Sequence, residues 1–173
     1  MNSKKSKIYI IDTSVILSGK PIDIKDGKMI TTQSVSNELK PGGKDYKIFQ
    51  YLLEKGLNIM LPSDDSIKKV KKISIKTGDY SRLSKTDIEV LALALDNKKN
   101  EVIILTDDYS IQNVADDLKI KYISLLQKGI KKKFIWISRC TGCGKKFKDD
   151  INICPICGSA TNKIVTKSKE INN

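Results

Sequence analysis

Histidine is absent from the 173-residue chain, and this absence excludes several classes of catalytic site. Without an imidazole there is no Ser-His-Asp triad and no ribonuclease mechanism that depends on a pair of histidines. Any hydrolytic chemistry must therefore come from carboxylates, hydroxyls, lysine or a bound metal ion.

Long hydrophobic runs are also missing. The longest, Val90 to Leu95, has six residues, which is too short to span a bilayer. The apolar patch near the start of the chain ends at Asp12 and is too short for a signal peptide. These observations predict a cytoplasmic protein without a membrane partner.

Acidic residues are scarce in the last quarter of the chain. The whole sequence has 32 Lys/Arg against 20 Asp/Glu, a net charge of +12, and residues 128–173 alone hold 11 against 3. A concentrated positive charge favours a polyanionic partner, most often nucleic acid. The alternative is a lysine-rich proteome that raises the net charge of every protein.

Only four cysteines occur, and all lie in one segment with the pattern C-x2-C-x10-C-x2-C: Cys140, Cys143, Cys154 and Cys157. This spacing is typical of a structural, tetrahedral Zn²⁺ site. Gly144 and Gly158 follow the second cysteine of each pair, where a positive φ is often needed. The alternative of two disulfides disagrees with a cytosolic chain that has no other cysteine.

Basic residues surround the cysteines and predict a nucleic-acid-binding surface: Lys131, Lys132, Lys133, Arg139, Lys145, Lys146 and Lys148. Trp136 and Phe147 are nearby aromatic residues that could stack on bases. They could equally pack the small core of the cysteine segment.

The fold class follows from short apolar runs that alternate with helical patterns. Ile8 to Asp12 and Val102 to Asp108 each read as a buried strand that ends in acidic residues. The pattern predicts an α/β fold, with a parallel sheet that has helices on both faces, followed by a small zinc ribbon. We expect an α/β domain over 1–127, a basic linker over 128–133, the ribbon over 134–166 and a frayed polar tail over 167–173.

The predicted elements are strands at 8–12, 28–32, 57–61, 102–106, 121–126 and 134–137, and helices at 13–18, 34–40, 45–55, 63–76, 84–97 and 110–119.

Five acidic residues are candidates for a catalytic metal site: Asp12, Glu38, Asp87, Asp107 and Asp108. Each has a structural alternative, since the aspartates stand where they can cap helices and Glu38 could be a solvated charge. Strand ends lie side by side in a parallel sheet, so we expect several of these carboxylates to converge. Carboxylates that converge repel unless a hard cation such as Mg²⁺ or Mn²⁺ binds them.

The order of four short motifs resembles the PIN-domain nucleases over residues 7–126. These are I-D-T-S at 11–14, N-E-L at 37–39, L-S-K-T-D at 83–87 and L-T-D-D at 105–108. With the four-cysteine segment and the stretch 107–115, the whole chain resembles the archaeal endonucleases that make the mature 3′ end of small-subunit ribosomal RNA.

This resemblance implies a metal-dependent endoribonuclease that leaves a 3′-hydroxyl and a 5′-phosphate. It implies precursor small-subunit (16S) rRNA as substrate, and the immature small ribosomal subunit with its assembly factors as partners. Asp12, Glu38 and Asp87 would be ligands, and either Asp107 or Asp108 the fourth. The alternatives are a toxin-like PIN ribonuclease, a non-catalytic RNA-binding assembly factor and a zinc-ribbon transcription factor.

Overall fold

The computed structural model describes residues 6–20, 22, 24, 26–125 and 132–170, with the backbone alone for 132–136 and 165–170. Lys131 and most of the predicted linker lie outside the described residues, as does the end of the predicted tail, 171–173.

A five-stranded parallel sheet forms the centre of residues 6–125, with strand order β3-β2-β1-β4-β5. Its strands are β1 Lys7–Ile11, β2 Lys28–Thr31, β3 Asn58–Ile59, β4 Glu101–Leu105 and β5 Lys121–Ile123. β3 has two residues where the pattern predicted five, because this edge strand is exposed and no further partner extends its ladder.

Six helices flank the sheet, each within two residues of its predicted bounds. They are α1 Thr13–Leu17, α2 Gln33–Glu38, α3 Lys44–Glu54, α4 Asp64–Thr77, α5 Lys85–Asp96 and α6 Tyr109–Asp117, with a 3₁₀ turn at Tyr80–Arg82. The boundaries agree because the caps are local. For example, α4 begins after Ser63, which accepts a hydrogen bond from the Ser66 amide, and ends at Gly78 with φ of 83°.

The strand order places a topological switch point between β1 and β4. From β1 the chain passes to β2 and β3 on one side, then returns to β4 and β5 on the other. Right-handed crossovers therefore put α1–α3 and α4–α6 on opposite faces. Ile10, Ile11, Ile104 and Leu91 are fully buried in the core between these layers. In open α/β sheets, ligands bind beyond the carboxyl ends of the strands at such a point.

A three-stranded antiparallel sheet of order β7-β6-β8 carries the cysteines. Its strands are β6 Lys132–Cys140, β7 Lys146–Phe147 and β8 Thr161–Glu170. Lys132 pairs with Glu170, so this ladder extends into both the predicted linker and the predicted tail. The pairing brings residues 167–170, which the sequence predicts as the start of a polar tail, into β8. The sequence of β8 is largely polar, and its pairing with β6 holds it extended.

Among the helices of the described residues, none has both the length and the apolar content needed to cross a lipid bilayer.

Candidate active site

Asp12 lies at the switch point, directly after β1, and its side chain is only 2% exposed. Its amide donates a 3.1 Å hydrogen bond to the Leu105 carbonyl of β4, which fixes it between the two central strands. As predicted, the carboxylate caps α1 by accepting from the Ser14 amide at 3.3 Å. Ser14 Oγ at 2.6 Å and Thr106 Oγ1 at 2.8 Å donate to the same atom, Oδ2. All three of these donors contact Oδ2, and the Thr13 backbone is a further hydrogen-bond partner of the carboxylate.

Two hydroxyls connect Asp12 to the end of β4. Ser14 Oγ accepts a 2.9 Å hydrogen bond from the Asp107 amide, and Thr106 Oγ1 accepts one of 3.0 Å from the Asp108 amide. Each hydroxyl thus receives one proton donor and donates its own proton to Asp12, which strengthens both bonds of the chain. The position of Asp12 is therefore coupled to the backbone that carries Asp107 and Asp108.

Glu38 is the last residue of α2, and a hydroxyl from the first turn of α1 orients it. Thr13 Oγ1 donates a 2.6 Å hydrogen bond to Glu38 Oε2. Helix α2 is in turn attached to α5, since Ser34 Oγ donates to Glu89 Oε2 at 2.5 Å. This contact fixes α2, with Glu38, against α5, the helix that carries the next candidate acid.

Asp87 stands in the first turn of α5 and forms the capping box that its spacing from Ser84 predicts. The Ser84 amide donates to Asp87 Oδ2 at 2.6 Å, and the Asp87 amide donates to Ser84 Oγ at 3.1 Å. Asp87 therefore has the predicted structural role, and this role uses one carboxylate oxygen.

Asp107 and Asp108, adjacent in sequence, have different surroundings. Asp108 caps α6, because its Oδ1 accepts from the amides of Ser110 at 2.6 Å and Ile111 at 3.4 Å. Asp107 Oδ1 instead accepts from Ser124 Oγ at 2.5 Å and the Leu125 amide at 2.8 Å, just after β5. Asp107 thus ties β4 to β5.

The electrostatics group four of the five acids into one neighbourhood. The pKa of Asp12 is raised to about 6, mainly because the carboxylate is buried and in smaller part because of the charge of Asp87, while the hydrogen bonds from Ser14 and Thr106 oppose the rise. Burial also raises the pKa of Asp87, and the charges of Asp108 and Glu38 add to this rise. Within the described chain, no lysine or arginine forms an ion pair with any of these four carboxylates. Their mutual repulsion is therefore left for a cation to relieve.

The four cysteines form a compact cluster in the small sheet. Their Sγ atoms all lie within 4.8 Å of one another, with 3.3 Å between Cys140 and Cys157 and 3.7 Å between Cys143 and Cys154. All four are free thiols, so the disulfide alternative is wrong. A disulfide needs about 2.05 Å, whereas a tetrahedral ion with metal–sulfur bonds of about 2.3 Å separates its sulfurs by about 3.8 Å.

The glycines that follow each cysteine pair have the predicted backbone geometry. The φ angle is +72° at Gly144 and +73° at Gly158. The amides of Gly142 and Cys143 point at Cys140 Sγ, at 3.3 and 3.4 Å, as expected of a knuckle that stabilises a thiolate. The cluster can hold one metal ion.

Basic side chains lie on the surface of the ribbon. Arg139, Lys145, Lys146 and Lys148 are exposed, and Arg139 pairs directly with Lys146 across β6 and β7. Like charges opposite one another destabilise a strand pair unless a polyanion compensates them. Phe147 is half-buried. The side chains of Lys132, Lys133 and Trp136 are outside the described part of the structure.

Comparison with known proteins identifies the family. A family model described as the PIN domain of ribonuclease matches residues 9–96. Endoribonuclease Nob1 of Archaeoglobus fulgidus is 39% identical over 155 residues, 88% of this chain and 88% of that protein. The chain belongs to the PIN-domain ribonuclease family.

Two other relatives match the PIN domain and the ribbon together. Ribonuclease VapC1 of Thermoplasma acidophilum is 39% identical over 95% of this chain and 81% of its own length. Endoribonuclease Nob1 of Methanocaldococcus jannaschii is 39% identical over 94% of this chain and 80% of its own length. The chain is thus an endoribonuclease with a PIN domain and a four-cysteine ribbon.

The donor chemistry of the PIN domain fits a divalent metal ion. The four grouped acids offer only oxygen ligands, which Mg²⁺ and Mn²⁺ prefer. Each accepts its closest hydrogen bonds through one oxygen: Asp12 Oδ2, Glu38 Oε2, Asp87 Oδ2 and Asp108 Oδ1. Among the described residues, however, only the cysteines already form a group close enough to share an ion. A shared ion at these carboxylates would require their oxygens to lie closer together than they do here.

Several contacts that organise the PIN domain site have no signal in the sequence. Ser34 and Glu89 join α2 to α5, although 55 residues separate them. Ser124 holds Asp107 across 17 residues. Buried Gln112 donates a 3.0 Å hydrogen bond to the Thr106 carbonyl and fixes the turn after β4. Long-range pairs between ordinary polar residues cannot be deduced from local spacing.

Proposed function

We propose that this endoribonuclease cleaves precursor small-subunit (16S) rRNA to make its mature 3′ end. The observation that carries the proposal is the electrostatic grouping of four carboxylates near the switch point, in a chain that also has a four-cysteine ribbon. Similarity to proteins named endoribonuclease Nob1 along nearly the whole chain supports it. The enzyme would act in the cytoplasm, on immature small ribosomal subunits and beside their assembly factors.

The catalytic ligands in this proposal are Asp12, Glu38, Asp87 and Asp108, which bind Mg²⁺ or Mn²⁺. A divalent cation there lowers the pKa of a bound water and stabilises charge on the phosphodiester. Thr13, Ser14 and Thr106 orient the carboxylates through hydrogen bonds of 2.6 to 2.8 Å. Asp107 is assigned a positioning role, because its Oδ1 joins β4 to Ser124 and Leu125, and because its charge is not among the main causes of the raised pKa values of Asp12 and Asp87.

The ribbon would hold Zn²⁺ in Cys140, Cys143, Cys154 and Cys157, as a closed structural site. A segment this small buries too little apolar surface to fold alone, so metal binding would supply its folding free energy. We keep 1–127 as the nuclease domain and propose that the ribbon extends from Lys132 to Glu170, as the strand pairing supports.

RNA would bind the ribbon through Arg139, Lys145, Lys146 and Lys148, together with Lys131, Lys132 and Lys133. The first four of these side chains are exposed. The positive charges would attract phosphates and compensate the repulsion between RNA and the carboxylates. Affinity would therefore fall steeply as salt concentration rises.

The experiment that tests this function is incubation of the protein with precursor small-subunit rRNA and Mn²⁺ or Mg²⁺, followed by mapping of the product ends. We expect one cut at the mature 3′ end, leaving a 3′-hydroxyl and a 5′-phosphate. Asp12→Asn should abolish the cut and retain RNA binding. Cleavage at scattered sites, or full activity of the variant, would overturn the proposal.

A second candidate is a toxin-like ribonuclease that acts on transfer or messenger RNA. The similarity to a protein named ribonuclease VapC1 favours this candidate. That similarity covers 95% of this chain, so the presence of the ribbon does not distinguish the two functions. The same assay with total transfer RNA and a messenger RNA separates them. Specific cleavage of these RNAs, with precursor rRNA left intact, would favour the toxin-like enzyme.

A protein that binds precursor rRNA with no metal-dependent cut would instead be a non-catalytic assembly factor.

A further inference from the structure

A groove between the end of α1 and helix α3 has no role in the site described above. Its volume is about 370 Å³, within the usual range for a small-ligand pocket. We call it the α1–α3 groove, and its lining includes Lys20, Ile22, Lys44, Lys47, Ile48 and Tyr51. The lining therefore combines apolar side chains with positively charged ones.

The aromatic residue of the groove is unusually accessible. Tyr51 is 53% exposed, whereas Leu52, next to it in α3, is 2% exposed and anchors the helix in the core. Lys55 Nζ lies 5.5 Å from the centroid of the Tyr51 ring. An exposed ring beside ammonium groups is the arrangement that proteins use to stack the bases of single-stranded nucleic acid.

The lysines of the groove have no acidic partner in the described structure. Lys20, Lys44 and Lys47 are exposed, and none forms an ion pair with a described carboxylate. Asp45, in the first turn of α3, is adjacent to Lys44 and is half-buried, and Asp23, three residues after Lys20, lies outside the described residues. Among the described residues, the groove therefore presents lysines without ion pairs, whose positive charge is complementary to phosphate.

Position links this groove to the carboxylate site. Lys20 Nζ donates a 2.8 Å hydrogen bond to the Leu125 carbonyl, and the Leu125 amide donates one of 2.8 Å to Asp107 Oδ1. Helix α1 begins at the carboxylate site with Thr13 and has only five residues, a length of about 7.5 Å. An RNA strand at the carboxylates can thus continue into the groove.

We propose that the α1–α3 groove binds an unpaired nucleotide of the RNA substrate, next to the cleavage site. The base stacks on Tyr51 and covers the isoleucines, and the flanking phosphates approach Lys44 and Lys47. The groove thereby selects single-stranded RNA, because a paired base cannot leave its stack without cost. This inference rests on the endoribonuclease activity and not on the rRNA assignment.

The test measures the affinity of the full chain for a short fluorescent oligouridylate by anisotropy, in the Asp12→Asn background so that the probe stays intact. Tyr51→Ala should weaken binding about 5- to 150-fold, the range for loss of one base–aromatic stack. Tyr51→Phe keeps the ring and should bind as the parent does. Equal affinity of the Ala variant and the parent would overturn the proposal.

A second measurement tests the lysines through salt dependence. Lys44→Gln with Lys47→Gln should reduce the slope of log K against log salt by about 1.4, since each phosphate contact with a single strand contributes about 0.7. Lys71→Gln with Lys72→Gln, two exposed lysines of α4, is the matched control and should leave the slope unchanged. An equal loss in both pairs would mean that only total charge matters, and would contradict the proposal.

The other occupant to test is a second copy of the chain. Sedimentation of the parent and of Tyr51→Ala decides this, and a dimer that Tyr51→Ala dissociates would assign the groove to self-association and overturn the proposal. Because the probe is a homopolymer, a negative result in the oligouridylate binding test would not affect the proposal that the enzyme cleaves precursor rRNA. A negative result in the rRNA cleavage assay would likewise not affect the binding test of the groove.

Discussion

Thr13 and Glu38 are joined by a 2.6 Å hydrogen bond from Thr13 Oγ1 to Glu38 Oε2, although 25 residues separate them. Thr13 stands next to Asp12, so this bond sets the direction of one proposed ligand relative to another. Hydrogen bonds of this kind commonly contribute 10- to 100-fold to the metal affinity of the ligand that they orient.

We therefore predict that Thr13→Val raises the Mn²⁺ concentration for half-maximal cleavage about 10-fold or more. Valine matches threonine in shape but cannot donate to Glu38. Thr13→Ser keeps the hydroxyl and should behave as the parent does. Titration of Mn²⁺ in the cleavage assay measures the effect, and an unchanged midpoint in the valine variant would mean that Glu38 needs no orienting bond.

Asp107 and Asp108 should differ sharply on substitution. Asn is also a good N-cap, so Asp108→Asn keeps the cap of α6 and removes only the ligand charge. We expect its cleavage rate to fall about 100-fold or more. In Asp107→Asn, Oδ1 still accepts from Ser124 and Leu125, so cleavage should stay within about 10-fold of the parent. Single-turnover rates on one RNA compare them, and the reverse order would exchange the two roles.

The cysteine cluster should be a separate structural unit. Cys154→Ser should lower bound zinc, measured by elemental analysis, and remove the hydrogen-exchange protection of β6 and β8 because the metal supplies their folding free energy. Protection of β1 and α5 should persist, since their core lies around Ile10 and Leu91. Loss of protection throughout residues 6–125 would show instead that the nuclease domain depends on the ribbon.

Asp96, at the end of α5, accepts three hydrogen bonds at the start of α4. The Ser63 amide and Ser63 Oγ donate at 2.7 Å and Ser66 Oγ at 2.6 Å. Burial alone would raise the pKa of Asp96, but these bonds outweigh it and lower the pKa. Since the folded pKa is below the unfolded value of about 3.9, the stabilisation is present above that pH and is lost as pH falls below it.

Asp96→Asn should accordingly lower the free energy of unfolding by about 0.5–1 kcal/mol at pH 7, because Asp96 is exposed and solvent screens its charge. The difference from the parent should shrink as the pH approaches 3. Urea unfolding at several pH values measures it. The control is Glu54→Gln on the exposed end of α3, which should change stability by less than about 0.5 kcal/mol. A difference that does not vary with pH would contradict the role of the Asp96 charge.

The sequence predicts those parts of the fold that local chemistry determines. The strands β1 and β4 are apolar runs ended by acids, and the caps at Asp12, Asp87 and Asp108 follow from spacing within one helical turn. The polar strand β8 could not be predicted, because only its pairing with β6 holds it extended.

The sequence predicts which acidic residues belong to the candidate site, but it does not predict which tertiary contacts each of them makes. Asp107 and Asp108 are equivalent in the sequence, and tertiary partners alone distinguish them: Ser124 and Leu125 bind the first, while α6 binds the second. The attachment of Ser34 to Glu89 is also a property of the folded chain. Such pairs depend on how α2 and α5 pack, which no local pattern specifies.

The most direct test of the account is a Mn²⁺ titration of the zinc-loaded protein, followed by electron paramagnetic resonance, for the parent and for Asp12→Asn. The account predicts a stoichiometric Mn²⁺ site in the parent that the substitution removes, since Asp12 is a central ligand. Identical Mn²⁺ binding by both proteins would show that these carboxylates do not gather around a cation, and would contradict the account.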